Sequence, residues 1–408
     1  LCRDLSRAAA LSAAVALWGV TPAQAGDWEL NPKLAAGYLY DNNYRLTPPD
    51  TENEVQGSVL DAEVDLRMTS PLTQFSLVPR IRSTYFPDDP EEESDDYFAN
   101  LGWQHRTEVL RVDVRGEYSE ETITSSEQPT ADVDSGLGEV GDADAGIIAG
   151  IRNRRNLIRV RPSMTYEFSQ RHQLYVGAHA LDVDFDRVIP GAQTPYRQFD
   201  LNLGFGIETS PRSVVTLSAI GSRYDLEVET NSADAYGLQV DWSTNVTETT
   251  RSFLRAGAQY TQFNDNPLTG AEGEKVTTWL AGAGMTRTLR LTELFLDATH
   301  SVGPNSSGFV IQRNQLRFRA THLFTPRFSL FGGVRGTYDE GVRSSTLFPF
   351  RPRTYATGDV GFEWRIWQQL SLIMSVDYTW QDFDDDPLSA SSSAGGNLRF
   401  VYEPRRRE

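Results

Sequence analysis

In LDAEVDLRM, Leu60, Ala62, Val64, Leu66 and Met68 share one phase and Asp61, Glu63, Asp65 and Arg67 the other. LRVDVRGEY sets Leu110, Val112 and Val114 against Arg111, Asp113, Arg115 and Glu117; FDLNLGFGI sets Phe199, Leu201, Leu203, Phe205 and Ile207 against Asp200, Asn202, Gly204 and Gly206. SLIMSVDYTW keeps the rule except at Ile373. A period of two marks a strand with one apolar and one polar face, and no helical stripe of useful length interrupts it.

A longer repeat lies over this one. Short segments opening at Ser70, Ser169, Ser210, Thr247 and Thr325 lead into strands that end in an aromatic residue and then acids, as in TYFPDDPEEE, GEYSEE, RYDLEVE, GTYDEG and TWQDFDDD. Short turns at one edge, longer acidic loops at the other and aromatics at strand ends predict an all-β fold, a transmembrane antiparallel up-and-down β-barrel of about eighteen strands. The expected strands are 28–40, 54–68, 73–85, 95–105, 107–118, 156–168, 172–185, 196–209 and 213–224, then 234–243, 251–263, 274–286, 292–302, 311–324, 327–338, 353–365, 370–383 and 395–402. Pro79 and Pro162 fall inside strands and predict a bulge or a strand end at each. Lost phase at Ala180–Leu181 predicts another bulge. The Gly-, Asp- and Ser-rich connection 119–155 is expected either to fold inward as a constriction or plug or to stay outside as a loop. The main alternative, a soluble β-sandwich, would need several linked domains at 408 residues, and no linker is visible.

Composition adjusts this picture in four places. Arg3 and Arg7, the apolar run Ala8–Val20 and Ala23-Gln24-Ala25 predict a signal peptide over 1–25, cut before Gly26, leaving 26–408 as the barrel. The mean hydropathy of −0.43 does not argue against a membrane, because a barrel shows lipid only every second residue. Cys2 is the sole cysteine, so the expected mature chain has neither disulfide nor thiolate metal site. The net charge of −18 makes nucleic acid an unsuitable partner. Lys33 and Lys275 are the only lysines. The other cations are arginines, whose fork suits carboxylate-bearing walls, although codon usage would produce the same bias.

In a closed barrel the charged phase faces inward, since a charge on the lipid side costs ~2 to 4 kcal/mol at the midplane. The expected lumen lining in the N-terminal part is Asp61, Glu63, Asp65, Arg67, Arg80, Arg82, Arg111, Asp113, Arg115, Glu117, Arg159 and Arg161. Nearer the C-terminus it is Arg317, Arg319, Arg335, Asp359, Glu363 and Arg365, with Asp377 on the same phase. Facing rows of opposite charge either set a transverse field that selects polar solutes or simply neutralise one another. The clusters at Asp88–Glu93, Asp95–Asp96 and Asp384–Asp386 read as solvated loops rather than cation sites, and none has the spacing of a calcium loop. His105, His172, His179, His300 and His322 are scattered without zinc spacing, so no metal, cofactor or catalytic residue is expected.

The early strand and loop AAGYLYDNNYRLTPPD (Ala35–Asp50), the layout and the strand count resemble the outer-membrane β-barrel porins associated with exopolysaccharide export. That resemblance implies a bacterial outer-membrane location, passage of nascent polysaccharide, a periplasmic export protein beneath, and a wall of inward Arg and acidic residues touching the polymer. It also implies contact with outer-membrane lipid and lipopolysaccharide and with the barrel-insertion machinery, which reads a terminal aromatic. Here Leu398, Phe400 and Tyr402 are followed by EPRRRE, a departure from that ending. The function expected is a passive porin-like channel for polar solutes, with no enzymatic step. The alternatives are a plugged structural or surface-interaction barrel and, more remotely, a hydrolase at the rim.

Overall fold

The computed structural model describes residues 26–123, 153–189, 193–226, 232–264, 273–305, 309–342, 351–384 and 390–404. The predicted signal peptide and most of the 119–155 connection lie outside them. The strands are β1 (Asp27–Asp41), β2 (Val55–Thr69), β3 (Thr73–Tyr85), β4 (Ser94–Arg106), β5 (Leu110–Thr122), β6 (Arg154–Ser169), β7 (His172–Phe185), β8 (Tyr196–Ser210) and β9 (Ser213–Leu226). The second half holds β10 (Ala233–Thr247), β11 (Thr250–Phe263), β12 (Lys275–Thr288), β13 (Thr292–Pro304), β14 (Val310–Thr325), β15 (Phe328–Gly341), β16 (Arg353–Trp367), β17 (Leu370–Phe383) and β18 (Ser391–Tyr402). Each pairs antiparallel with its chain neighbours, and β18 closes on β1 from Leu34–Tyr402 to Asp41–Gly395, giving a closed 18-stranded barrel.

The short turns explain the recurrent Ser and Thr. Ser70 Oγ accepts the Thr73 amide at 3.0 Å, Thr107 Oγ1 that of Leu110 at 3.0 Å, and Ser169 Oγ that of His172 at 3.1 Å. Thr325 Oγ1 accepts the Arg327 amide at 3.2 Å. A hydroxyl that satisfies a backbone donor two or three residues on fixes a tight reversal without a glycine. Register shifts occur beside these turns, at Glu167/Ser169, Glu208/Ser210, Asn245/Thr247, Leu323/Thr325 and Arg365/Trp367.

No register shift occurs where the sequence predicted one. Around Pro79 the register is the same on both sides, Glu63 opposite Arg80 and Leu66 opposite Leu77, with only the intervening pairs absent. Around Pro162 the same holds, with Val160 opposite Ala180 and Ser163 opposite Gly177. Proline removes one donor, so pairing lapses on one edge. On the other edge Pro79 still faces Ala99 and Pro162 still faces Val114. Both strands therefore continue, without bulge or end. Nor is there a bulge at Ala180–Leu181, which pair in sequence with Phe199 and Gln198.

What changes at Leu181 is its surroundings. Leu181, Val183 and Phe185 stay on the inner phase and are buried with Ile123, Leu157 and Tyr196. The strands run from 12 residues in β18 to 16 in β6, beyond the ~9 to 11 that cross a bilayer. The surplus at the loop end packs small apolar cores inside the mouth. A second joins Tyr224, Ala233, Ala235, Phe263 and Val342, and a third Tyr44, Val55 and Phe86.

β5 and β6 also extend beyond their expected ends, to Thr122 and from Arg154, because inward Glu121 takes a 2.9 Å ion pair from Arg155 and the Thr122 amide donates to Asp96. Of the 119–155 connection, the described Ile123 amide donates to the Asn153 carbonyl at 3.0 Å, and Ile123 turns into the mouth.

Candidate functional site

Alternation carries the charged phase to the inner wall. Asp61 on β2 accepts the Arg80 guanidinium through Nε at 2.8 Å and Nη2 at 2.5 Å, and Arg82 Nε at 3.3 Å. Both guanidinium groups lie over the Phe98 ring, at 5.6 and 5.9 Å. Lower on β2, Asp65 pairs with Arg67 at 2.7 Å, and Glu63 faces Arg80 in register. On β5, Asp113 accepts from Arg111 at 2.9 Å and from Gln104 at 2.8 Å. Glu117 accepts from Arg159 at 2.9 Å.

Opposite charges are thus brought together, but like charges are too. Arg115 stands directly across from Arg161, Arg317 across from Arg335, and Asp359 across from Asp377. Like charges facing each other on one strand pair are unfavourable unless other groups or a solute offset them. Arg317 is offset by Asp297 at 2.5 Å and lies over Phe295; Arg335 lies over Tyr355 and Arg319 over Phe331. Glu363 accepts from Ser371 at 3.0 Å, while Arg365 sits at the turn end, its amide donating to the Arg327 carbonyl.

A cavity of about 840 Å³ runs inside the wall from β5 to β14. Arg111, Asp113, Arg115, Arg161 and Arg317, all expected from sequence, line it. The other expected residues lie on the same phase of the wall but do not line this cavity. Arg255, Asp200 and His179 also line it and were not singled out from the sequence. Their geometry is specific: His179 Nδ1 lies 2.8 Å from Asp200 Oδ2, which also accepts Gln198 at 2.6 Å, and Arg255 pairs with Asp241 at 2.7 Å. The same two-residue phase would have found all of them, since Asp200 stands opposite the apolar residues of FDLNLGFGI. The cavity lining holds five arginines and two aspartates, so its wall is more cationic than the acidic chain as a whole.

The sequence also missed an inward segment between β1 and β2. Asn43 is buried, and its side-chain amide donates to the Thr47 carbonyl at 2.8 Å and the Ser392 carbonyl at 3.0 Å. Leu46 adopts a left-handed backbone, φ 49°, a costly conformation for a residue with a branched side chain. Its carbonyl is held by Gln381 Nε2 and Ser391 Oγ, both at 2.9 Å and both inward on the wall. Arg45 forms an ion pair with Glu92, and Tyr44 meets Phe86 edge-on at 5.5 Å. Glu92 and Asp96, read from sequence as parts of solvated acidic loops, are buried instead: Glu92 accepts from Arg45 and Asn53 of the neighbouring β1–β2 loop, and Asp96, on β4, accepts the Thr122 amide at the end of β5. Among the described residues no cluster of metal-ligating side chains occurs.

The outer face is the complement of this wall. Leu60, Leu201, Leu203, Leu238, Val334 and Val376 are exposed along mid-strand. Tyr38, Tyr85, Tyr97, Tyr236, Trp279 and Tyr378 ring the loop end, and Trp28, Tyr166, Trp242, Phe324, Trp367 and Tyr402 the turn end.

No protein-family model matches the chain, and no curated protein matches its sequence. Solved structures similar in build include OccK2 (OpdF) of Pseudomonas aeruginosa, at 10% identity and a TM-score of 0.47 over 92% of this chain and 98% of that one. They also include a BenF-like porin of Pseudomonas fluorescens, at 10% identity and 0.47 over 93% and 98% of the two chains, and OccAB1 of Acinetobacter baumannii, at 10% and 0.46 over 93% and 96%.

Proposed function

We propose that this chain spans the bacterial outer membrane as a porin-like channel through which small polar solutes diffuse, anions ahead of cations. The observation that supports it most directly is sidedness. An exposed apolar belt between two aromatic rings encloses a cavity lined by five arginines and two aspartates. Water cannot satisfy such a belt, whereas lipid can, and Tyr and Trp rings prefer the headgroup level. Inside, a fixed cationic wall raises the local concentration of anions and lowers their barrier to passage. No bond is made or broken in this mechanism.

Polysaccharide export, implied by the family resemblance, would use the same wall. A cavity of about 840 Å³ favours a smaller solute, being the size that encloses a drug-sized molecule. Planar-bilayer recording of the refolded barrel tests the proposal: stable channels whose reversal potential in a KCl gradient shows chloride preference are expected. Electrical silence would turn the reading to a plugged structural barrel, and cation preference would remove the role given to the arginines.

A further inference from the structure

The seam between β12 and β13 differs from its neighbours. The two strands pair from Thr288–Glu293 up to Ala281–His300 and no further, although β12 begins at Lys275 and β13 runs to Pro304. Both remain paired on their outer sides, β12 with β11 as far as Lys275–Gln262 and β13 with β14 as far as Pro304–Val310. The sheet therefore forks at the loop end, level with the upper aromatic ring.

Five observations converge on this fork. The lumenal cavity reaches it, being lined there by Leu280, Ala281, His300, Ser301 and Val302. A Cβ built on Gly303 meets nothing within 4 Å. His300 is 7% exposed; its Nδ1 bonds Asn314 at 2.8 Å, and its Nε2 is buried with no hydrogen-bond partner among the described residues. Trp279, 56% exposed on the outer face, stacks flat on the His300 ring at 3.6 Å. Val276 and Val302, one from each side of the fork, pack against the buried cluster of Tyr224, Phe263 and Val342.

From this geometry we infer that the fork is a lateral portal, admitting small planar, mainly apolar molecules with one hydrogen-bonding group between the lumen and the outer leaflet, with Trp279 and His300 as its outer door. The inference rests on the membrane-channel reading above. An open ladder in lipid leaves backbone groups unsatisfied, which is tolerated where the gap borders a cavity. The valines and the indole supply an apolar passage, and the unpartnered His300 Nε2 supplies one polar contact, worth more inside than in water because nothing else satisfies it.

The expected mature chain has no cysteine, so the fork can be bridged with new thiols. Continuing the register of Ala281–His300 places Thr278 across from Gly303. T278C/G303C would be expressed in Gram-negative cells lacking their major porins, and oxidised or bridged with a two-headed methanethiosulfonate reagent that spans wider gaps. Entry of the apolar probe N-phenyl-1-naphthylamine would be followed by fluorescence. Bridging is expected to abolish barrel-dependent entry, reduction to restore it, and chloride conductance in planar bilayers to survive bridging. Gly303→Phe, which fills the open space without a thiol, is expected to abolish probe entry as well. Probe entry that ignores both the bridge and Gly303→Phe, or a wild-type barrel that admits no more probe than cells without it, overturns the portal. Absent conductance with bridge-dependent probe entry overturns the channel reading and leaves the portal standing.

Discussion

On β6, Arg159 and Arg161 face the lumen at mid-strand, whereas Leu157, two residues nearer the loops on the same face, is buried with Val183, Phe185 and Tyr196. β7 repeats the contrast, with His179 beside Asp200 at mid-strand and Leu181, Val183 and Phe185 above it. Backbone, register and phase are unchanged across the boundary. The outward neighbours invert as well: Phe199 and Leu201 are exposed on mid-β8, while Asp182 and Arg197 lie outside near the loops. A strand dictates only that faces alternate; which face is apolar follows from what lies beyond it. Mid-strand the outside is apolar and the inside wet, and in the mouth the inside is a small core.

The largest effect that can break this comparison comes from the mouth. Phe185→Ala removes a ring that is 2% exposed in the inner core, and truncations of this kind cost ~3 to 5 kcal/mol. Leu203→Ala, on the exposed outer face, is expected to cost much less. Denaturant unfolding of the two variants in the same detergent checks the order; equal losses would mean that the mouth has no core of its own.

Next comes a change in function at mid-wall. Replacing the facing pair Arg115 and Arg161 with glutamine removes two charges from the cavity lining and is expected to move the reversal potential toward cation preference, with folding intact. Unchanged selectivity would mean that neighbouring groups already neutralise both guanidinium charges. The inward β1–β2 segment gives a third contrast. Gln381→Ala with Ser391→Ala strips both donors from the Leu46 carbonyl, each bond worth about 0.5 to 1.5 kcal/mol, and is expected to free the segment and raise single-channel conductance.

The same contrast explains what could be read from the sequence. Strand number, the turn edge and the inward phase were legible because one residue in two is apolar over most of each strand. Strand 73–85 and strand 172–185 were placed to the residue. The Leu181 region was misread because a change of environment looks, in one dimension, like a slipped register. Pro79 and Pro162 were misread because the sequence shows the missing donor but not that the other edge of each strand stays paired. In the candidate site, Arg111, Asp113, Arg115, Arg161 and Arg317 were visible as charged residues on the inward phase. The pinned Leu46 was not, since its partners Gln381 and Ser391 lie more than 300 residues away. Nor was the β12–β13 fork, where KVTTWL reads as an ordinary strand.

The smallest expected effect belongs to the outer of two ion pairs on either side of the mouth. Arg155 and Glu121 meet at 2.9 Å on the inner face, with side chains 4% and 10% exposed; Arg197 and Asp182 meet at 3.2 Å on the outer face, 61% and 50% exposed. Arg155→Met leaves a carboxylate stranded in a nearly dry site, and breaking such a pair costs ~3 to 5 kcal/mol. Arg197→Met leaves Asp182 in water, where an exposed pair contributes only ~0.2 to 1 kcal/mol and salt screens it further. Unfolding measured at low and at high salt is therefore expected to show a large, salt-insensitive loss for the first and a small one that vanishes with salt for the second. A substantial salt-insensitive loss at Arg197 would place that outer edge in lipid rather than in water, and would move the boundary between mid-strand and mouth toward the loops.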